Sequence, residues 1–227
     1  MAAASSSTSP SSSSTTDKKD DQEIVLYSYW RSSCSYRVRI ALNHKAIPYT
    51  YKAVHLVKSQ QLEPDYAALN PMKEVPSLLI DGLQLSQSVA ILEYLEETRP
   101  EPRLLPQDPA TRALVRQIVS IVCSDIQPVQ NLRVLKYLGE ERKVEWAKHW
   151  IESGFEGLER VLERSAGSYC VGDEVTLADA VLPPQVYNAR RFGVDLDKYP
   201  TIKRVEEALM QLPAFQQARP EVQPDAE

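Results

Sequence analysis

Apolar and polar positions repeat with two different periods along the first half of the chain. Short runs rich in β-branched and aromatic residues are typical of strands, and apolar positions three or four residues apart are typical of helices. The patterns predict strands at residues 24–29, 49–54, 77–80 and 83–86, and helices at 35–45, 61–69 and 88–97. Asp81 and Gly82 separate the last two strands, and this dipeptide favours a tight hairpin turn. The order β-α-β-α-β-β-α indicates a small mixed sheet covered by helices.

The pattern changes after residues 99–109, which hold four prolines in eleven positions. Proline cannot continue a helix, so this stretch is typical of an interdomain linker. Beyond it, apolar stripes predict helices at 111–138, 143–164, 177–192 and 201–209, with no strand between them. The chain is therefore predicted to be α/β plus all-α, with an α/β domain at 22–103, a linker at 104–110, an all-helical domain at 111–220 and a tail at 221–227.

Residues 1–21 consist mainly of Ser, Thr and Ala and close with a run of charges. So few apolar side chains cannot offset the entropy lost on ordering, and we predict a disordered tail there. The serine content also suggests a transit peptide. The lack of arginine and of an amphipathic period argues against that alternative, and no apolar centre indicates a secretory signal.

The overall composition is ordinary for a globular protein: 227 residues, 43% hydrophobic and 25% charged, with a net charge of −5. Acidic and basic residues are interspersed, so we expect binding neither to nucleic acid nor to a membrane surface. No apolar run approaches the roughly 18 residues of a transmembrane helix. Three widely spaced cysteines, Cys34, Cys123 and Cys170, fit neither a disulfide framework nor a zinc site. We therefore expect a cytoplasmic protein without a metal.

The most distinctive polar residues lie where the first strand meets the first helix. Residues 29–42 read YWRSSCSYRVRIAL. A helix N-terminus has unpaired N–H groups and a partial positive charge, which attract anions. Ser32 and Ser33 are therefore candidate caps or functional hydroxyls, and Cys34 stands where a thiol tends to ionise or is simply a small buried residue. Position alone leaves these alternatives open.

Four stretches together resemble zeta-class glutathione transferases: SSCSYRVRIAL at 32–42, NPMKEVPSLLIDG at 70–82, LSQSVAILEYLEE at 85–97 and YCVGDEVTLADA at 169–180. The resemblance implies the glutathione transferase fold, in which an N-terminal thioredoxin-like domain binds glutathione and a C-terminal helical domain shapes the site of the second substrate. It also implies a homodimer and the isomerisation of maleylacetoacetate. In that reaction the glutathione thiolate adds to a cis double bond, the resulting single bond rotates, and the thiolate leaves.

The resemblance also implies roles for individual residues. Ser32 matches the serine that stabilises the thiolate, and Ser33 and Cys34 are further candidate catalytic residues. Lowering a thiol pKa from ~8.5 by about two units requires roughly 2.7 kcal/mol. A helix N-terminus supplies up to ~2 kcal/mol, and a hydroxyl that donates to the sulfur supplies the rest. The implied glutathione-binding residues are Ser32, Ser33, Cys34, Ser35, Tyr36, Arg37, Val75, Gln87, Ser88, Gln127 and Asn131.

Two of these assignments have simpler alternatives. Val75 precedes Pro76, and in thioredoxin-like folds the matching proline is cis and turns the preceding backbone towards a peptide ligand, whereas the alternative is an ordinary turn proline. Ser88 opens the third predicted helix and is otherwise a plain cap.

The second substrate is a dianion, and the resemblance puts Arg31, Arg37 and Arg191 around it. Arg133 stands where a small polar residue is expected, so it is left out of the site.

Other functions use the same features. A glutathione thiolate could also attack α-halo acids or reduce peroxides, and a non-catalytic interaction module of the same fold would not need the serine at the helix start. A cysteine protease is disfavoured, because none of the three histidines lies in a pattern that recommends it as a base. We interpret Tyr27 and Tyr29 as structural, together with residues 176–179, which fit a capping box.

Overall fold

The computed structural model describes residues 23–227, so the tail predicted at 1–21 lies outside the described residues. Four strands form one mixed sheet in the order β2-β1-β3-β4. They are β1 (Val25–Ser28), β2 (Thr50–Ala53), β3 (Ser77–Ile80) and β4 (Leu83–Ser86). β1 runs parallel to β2 and antiparallel to β3, with Leu26 opposite Leu78. Both leucines are fully buried, so the two central strands form the centre of this half.

Three helices accompany the sheet: α1 (Ser33–His44), α2 (Pro64–Leu69) and α3 (Ser88–Thr98). α1 and α3 pack on each other, and their apolar stripes, represented by Leu42 and Leu92, are fully buried. In the β3–β4 turn, Asp81 and Gly82 have φ values of 52° and 75°, the left-handed conformation that a two-residue hairpin requires. The predicted element order of the first half is confirmed.

The proline-rich stretch between the two halves is fixed by buried hydrogen bonds. The Lys45 ammonium donates to two backbone carbonyls of the stretch, each at 2.8 Å, and to the Glu96 carboxylate at 2.9 Å. Glu96 also accepts the N–H groups of Leu104 and Leu105 at 2.9 and 3.1 Å. A buried ion pair is tolerated when its remaining polar atoms are satisfied in this way. The start of the helical half is consequently held against α3.

The second half contains six α-helices within the described residues: α4 (Pro109–Ser120), α5 (Leu132–Leu138), α6 (Lys143–Ser165), α7 (Leu177–Arg191), α8 (Pro200–Leu209) and α9 (Pro213–Ala218). Its all-helical character was predicted and is confirmed. α4 begins two residues before the predicted position, because the Asp108 carboxylate caps it by accepting the Thr111 N–H at 2.8 Å. Within residues 23–227, no helix is both long and apolar enough to cross a membrane.

The single helix predicted at 111–138 is wrong. After α4 the chain passes through a π-helical turn at Ile121–Ile126 and a 3-10 turn at Pro128–Gln130 before α5 begins. Pro128 has no N–H with which to continue a helical ladder. Asn131 is extended, with φ −63° and ψ 149°, and its side chain caps α5 by accepting the Arg133 N–H at 3.1 Å. The apolar period continues across this break and therefore conceals it.

The capping box predicted at residues 176–179 is present at the start of α7. The fully buried Asp179 carboxylate accepts the Thr176 N–H at 2.7 Å, the Thr176 hydroxyl at 2.8 Å and the Cys170 N–H at 2.8 Å. These bonds fasten the loop before α7 to the first turn of the helix. The box is structural, as the sequence indicated.

One hydrophobic core joins the two halves. α1 packs against α3 on one side and against α7 and α9 on the other. The same buried cluster contains Leu26 of the sheet and Phe155 and Leu182 of the helical half. Arg39 of α1 is also fully buried in this region and donates to the Ala218 carbonyl of α9 at 3.0 Å. The first strand and first helix are therefore held by residues far along the chain.

Candidate active site

An interdomain cleft of about 580 Å³ opens at the N-terminus of α1. One wall is formed by loops of the α/β half, and the other by residues 127–131, α5 and the end of α7. The predicted site residues in its lining are Arg31, Ser32, Ser33, Cys34, Val75, Gln127, Asn131 and Arg191. Residues that are separated by up to 160 positions in the sequence thus meet at one site, as the resemblance implied.

Ser32 caps α1. Its φ of −74° and ψ of 117° are extended, its N–H donates to the Tyr29 carbonyl at 2.9 Å, and its Oγ accepts the Ser35 N–H at 3.2 Å. A hydroxyl has one donor and two acceptor sites, so the cap leaves the Ser32 proton available for a ligand in the cleft. Cys34, in the first turn, is half-buried and free. The first turn of α1 contains no acidic residue that would neutralise its positive end.

Val75 brings an unpaired peptide edge to the cleft. The preceding carbonyl, that of Glu74, accepts the Tyr66 hydroxyl at 2.6 Å and the Asn70 amide at 2.8 Å. These two side chains fix the loop, and the Val75–Pro76 bond is cis, as expected for the fold. The Val75 N–H and C=O make no hydrogen bond with residues 23–227. Because buried backbone groups are normally paired, this edge is suited to a ligand with a peptide backbone.

Two arginines that the sequence singled out add positive charge to the cleft. Arg31 lies after the first strand, and its guanidinium carbon is 5.0 Å from the centre of the Trp30 ring. Arg191 is the last residue of α7, and its guanidinium carbon is 5.1 Å from the centre of the Phe192 ring. Partial burial and then the positive charge of Arg31 lower the pKa of Arg191. Neither arginine has a carboxylate partner among the described residues. An anion bound between them would relieve their repulsion.

A second polar group lies at the start of α3. Buried Arg37 donates through Nη1 to the Ser88 hydroxyl at 3.1 Å, whereas its Nε and Nη2 have no partner in residues 23–227. Gln87 is exposed beside them, with a φ of 69°. The Oγ of Ser35 is buried and also unpartnered in the described chain. None of these four residues lines the cleft itself, so their predicted contact with glutathione remains a prediction.

The helical half contributes residues that the sequence did not single out. Arg133, which the sequence analysis left out of the site, lines the cleft. Its guanidinium forms an ion pair, at 3.3 Å, with the carboxylate of Glu74 on the opposite wall, so the exclusion is corrected. Tyr29, interpreted as structural, also lies in the lining. Further lining residues that were missed are Gln61, Lys73, Gln130, Lys136 and Asn188. Lys73 lies within the motif at 70–82, although no role was assigned to it. No local motif marks the other four, because only the tertiary fold brings their segments together.

Comparison with known proteins assigns the chain to a family. The N-terminal domain family of glutathione S-transferases matches residues 22–97, and the C-terminal domain family matches residues 130–217. The chain belongs to the glutathione S-transferase family. Similar curated proteins include the probable maleylacetoacetate isomerase 2 of Drosophila melanogaster, 59% identical over 88% of this chain and 89% of that protein. The maleylacetoacetate isomerase of Rattus norvegicus is 58% identical over 88% and 94%, respectively.

Solved structures agree with the sequence comparison. A bacterial maleylpyruvate isomerase, described as a zeta-class glutathione S-transferase, superposes with a TM-score of 0.87 at 46% identity, over 89% of this chain and all of the other. The maleylacetoacetate isomerase of Anaeromyxobacter dehalogenans 2CP-1 with bound glutathione gives a TM-score of 0.83 at 48% identity, over 90% and 98%. The predicted resemblance to zeta-class glutathione transferases is confirmed, and so is the fold.

In this glutathione S-transferase Tyr36 faces away from the interdomain cleft. Its hydroxyl donates to the Met210 sulfur at 3.8 Å, and burial raises its pKa. It lines a second cavity of about 840 Å³ between α1, α7 and α8. Two residues of helix turn the direction of a side chain by about 200° relative to Cys34, so Tyr36 cannot share the cleft with it. The Tyr36 side chain therefore lies outside the interdomain cleft, and the predicted contact of Tyr36 with glutathione stays a prediction.

Proposed function

We propose that this protein is an enzyme that isomerises maleylacetoacetate to fumarylacetoacetate with glutathione as its coenzyme, in the catabolism of tyrosine and phenylalanine. The observation that carries the proposal is the meeting of the Ser32-capped start of α1 with two uncompensated arginines in one cleft. A coenzyme thiol and a dianionic substrate need these two kinds of group. The maleylacetoacetate isomerases among the relatives support the same conclusion.

The described residues fit glutathione. The unpaired Val75 N–H and C=O match the backbone of its cysteinyl residue. At the start of α3, the unpartnered guanidinium atoms of Arg37 and the N-terminal position of Ser88 suit the γ-glutamyl carboxylate, with Gln87 beside them. Gln127 and Asn131 face this ligand from the helical half. Val75 lines the same cleft as Ser32, and a peptide ligand would pair with its backbone there.

Glutathione, when bound, supplies a thiolate that adds to the cis double bond of the substrate and leaves after rotation. Ser32 stabilises the sulfur anion by donating its hydroxyl proton to it as a hydrogen bond, and the positive end of α1 adds to this. The hydrogen bond from Ser35 N–H to Ser32 Oγ fixes the hydroxyl in place. Cys34 and Ser33 line the cleft beside Ser32 and would contact the glutathione held there. These groups would hold the thiol of bound glutathione ionised at neutral pH.

Arg31 and Arg191 act on the second substrate. They approach the cleft from different halves of the chain and bind its carboxylate, and they stabilise the negative charge that develops on its oxygen during addition. Arg37, proposed from the sequence as a third cation for the substrate, is better suited to glutathione, because Ser88 holds it at the start of α3.

The experiment is a substrate panel with the full-length protein. Maleylacetoacetate, an α-halo acid and a hydroperoxide are compared with and without glutathione, and glutathione binding is measured by calorimetry. We expect glutathione-dependent isomerisation to exceed both other activities at least tenfold. Faster turnover of the α-halo acid or hydroperoxide would instead favour a transferase or peroxidase. No heat of binding and no thermal stabilisation at millimolar glutathione would favour a non-catalytic interaction module.

We further propose that the enzyme is a cytoplasmic homodimer. Leu83 of the α/β half is a large apolar side chain that is 45% exposed and lies outside the cleft lining, and a second copy of the chain would cover it. In this arrangement each α/β half packs on the helical half of its partner. The cysteines at 34, 123 and 170 are all free, which is typical of a reducing compartment.

A further inference from the structure

The loop that carries Arg31 and Ser32 is held from two directions by residues distant in the sequence. The buried guanidinium of Arg39 donates to the Trp30 carbonyl at 3.0 Å and to the Tyr29 carbonyl at 3.4 Å. Its Nε donates to the Ala218 carbonyl at 3.0 Å. One arginine therefore ties the carbonyl side of the loop to the end of α9.

The N–H side of the same loop is held by the end of the chain. Asp225 accepts the Trp30 N–H through Oδ2 at 3.1 Å and the Tyr51 hydroxyl through Oδ1 at 2.6 Å. Both of its carboxylate oxygens are thus engaged by the α/β half, one on the loop and one on β2. Burial and this hydrogen bond raise the pKa of Tyr51, which therefore stays a donor.

The segment that presents Asp225 is itself ordered. The Gln223 amide donates to the Gln217 and Arg219 carbonyls at 2.9 and 2.8 Å, closing the turn after α9, and its side chain is buried. Two residues beyond Asp225, the exposed Glu227 pairs with His55 at 3.0 Å and with Lys58 at 3.1 Å. Residues 221–227, predicted only as a tail, pack on the α/β half in this way.

We propose that Asp225 is a positioning residue for the reaction. Trp30 is the residue immediately before Arg31, and its ring lies 5.0 Å from the Arg31 guanidinium carbon. A shift of the Trp30 peptide would move both Arg31 and the Ser32 hydroxyl relative to the cleft. This inference rests on the proposed function, because it assigns Asp225 to the loop that performs it.

The consequence differs from that of a general stabilising contact. Asp225 touches neither the Val75 edge nor the start of α3, so most of the proposed glutathione contacts survive its loss. The orientation of Arg31 and Ser32 matters mainly during reaction, and small displacements of positioned groups reduce turnover strongly. We expect the Asp225→Ala variant to lose turnover about tenfold or more, while glutathione affinity by calorimetry changes less than about threefold.

The test combines kinetics with hydrogen exchange measured by mass spectrometry. In Asp225→Ala, the peptide spanning residues 27–36 should exchange about tenfold faster while peptides of α6 do not change. Asp225→Asn keeps one acceptor oxygen and should show an intermediate effect. Glu227→Gln is the matched control from the same segment. Tyr51→Phe removes the hydrogen bond from Tyr51 to Asp225 and leaves the one from the Trp30 N–H in place.

Unchanged exchange at 27–36 and unchanged turnover in Asp225→Ala would overturn the proposal. Accelerated exchange throughout the chain, or an equal turnover loss in Glu227→Gln, would also overturn it by showing a general structural role. If Asp225→Ala does not fold, exchange at 27–36 and turnover are measured in Asp225→Asn and Tyr51→Phe, and the same outcomes decide the proposal. If the wild-type protein binds glutathione but isomerises nothing, the proposed function fails. Exchange at 27–36 still decides whether Asp225 positions the loop.

Discussion

The Ser32 side-chain oxygen accepts the Ser35 N–H at 3.2 Å, so the residue proposed to act on the glutathione thiol is also the cap of α1. The two roles that position alone left as alternatives are compatible, because the cap uses an acceptor site of the hydroxyl and the thiolate requires its proton. They can be separated experimentally, since glycine is a nearly adequate helix cap and has no hydroxyl.

Ser32→Gly should lower isomerase turnover about tenfold or more while reducing the free energy of unfolding by only a few tenths of a kcal/mol. Ser32→Ala should lose the same activity with a larger stability loss of about 1 kcal/mol. Cys34→Ala should mainly weaken glutathione binding. Steady-state kinetics, calorimetry and thermal melts measure all three. A larger turnover loss in Cys34→Ala than in Ser32→Gly would reverse the assigned roles.

Arg31→Gln and Arg191→Gln should each raise KM for the dianionic substrate about tenfold and leave glutathione affinity nearly unchanged. Arg190→Gln is the matched control, because Arg190 is adjacent to Arg191 but is bound to Glu206 by hydrogen bonds of 2.7 and 2.8 Å. Similar KM values in all three variants would show that the cleft arginines do not bind the substrate.

Cys123 should react slowly with iodoacetamide at neutral pH. Burial raises the pKa of its thiol to about 11, so only about 0.1% is thiolate at pH 8, compared with roughly a quarter of an ordinary thiol. Its labelling rate should rise about tenfold for each pH unit between 7 and 10, as the thiol form gives way to thiolate. Mass spectrometry of the folded protein measures the rate, with the urea-unfolded chain as control. A plateau already at pH 9 would contradict the raised pKa.

Asp179→Ala should lower the melting temperature by about 10 °C. The change removes a helix cap, worth about 1 kcal/mol, and leaves the buried Thr176 and Cys170 N–H groups without a partner, at about 1–3 kcal/mol each. Asp173→Ala is the control, because its exposed carboxylate also accepts a backbone N–H, that of Ser168, at 2.8 Å. Equal melting temperatures in the two variants would argue against the capping box as a stabilising element.

A homodimer should appear by light scattering at micromolar concentration, with an interface larger than ~1,000 Å². Replacing the exposed apolar residue Leu83 by glutamate (Leu83→Glu) should shift the mass towards the monomer. If Gln127 and Asn131 are completed by the neighbouring subunit, glutathione affinity should fall as the protein is diluted. A monomer that retains full activity would refute the proposal.

The strands, α1, α3 and the capping box could be predicted because each has a local signature, a period or a turn dipeptide. The break between α4 and α5 could not be recognised from the apolar period, which runs through it, although Pro128 and Asn131 are the residues that cause it. About a third of the residues that line the cleft were predicted through the family resemblance. Gln130 and Asn188 were not predicted, because their neighbours in space are distant in the sequence.

α1 is part of the core of both halves, because it packs on α3 and also on α7 and α9. A chimera of two relatives with its crossover in the proline-rich stretch would therefore pair α1 of one parent with the helical half of the other. That helical half evolved against a different α1. The Arg39 hydrogen bond to the Ala218 carbonyl and the Asp225 hydrogen bond to Trp30 would be divided between the parents. Functional chimeras should arise instead from crossovers that transfer residues 177–227 together with the α/β half, so the evolutionary module of this protein is discontinuous in its sequence.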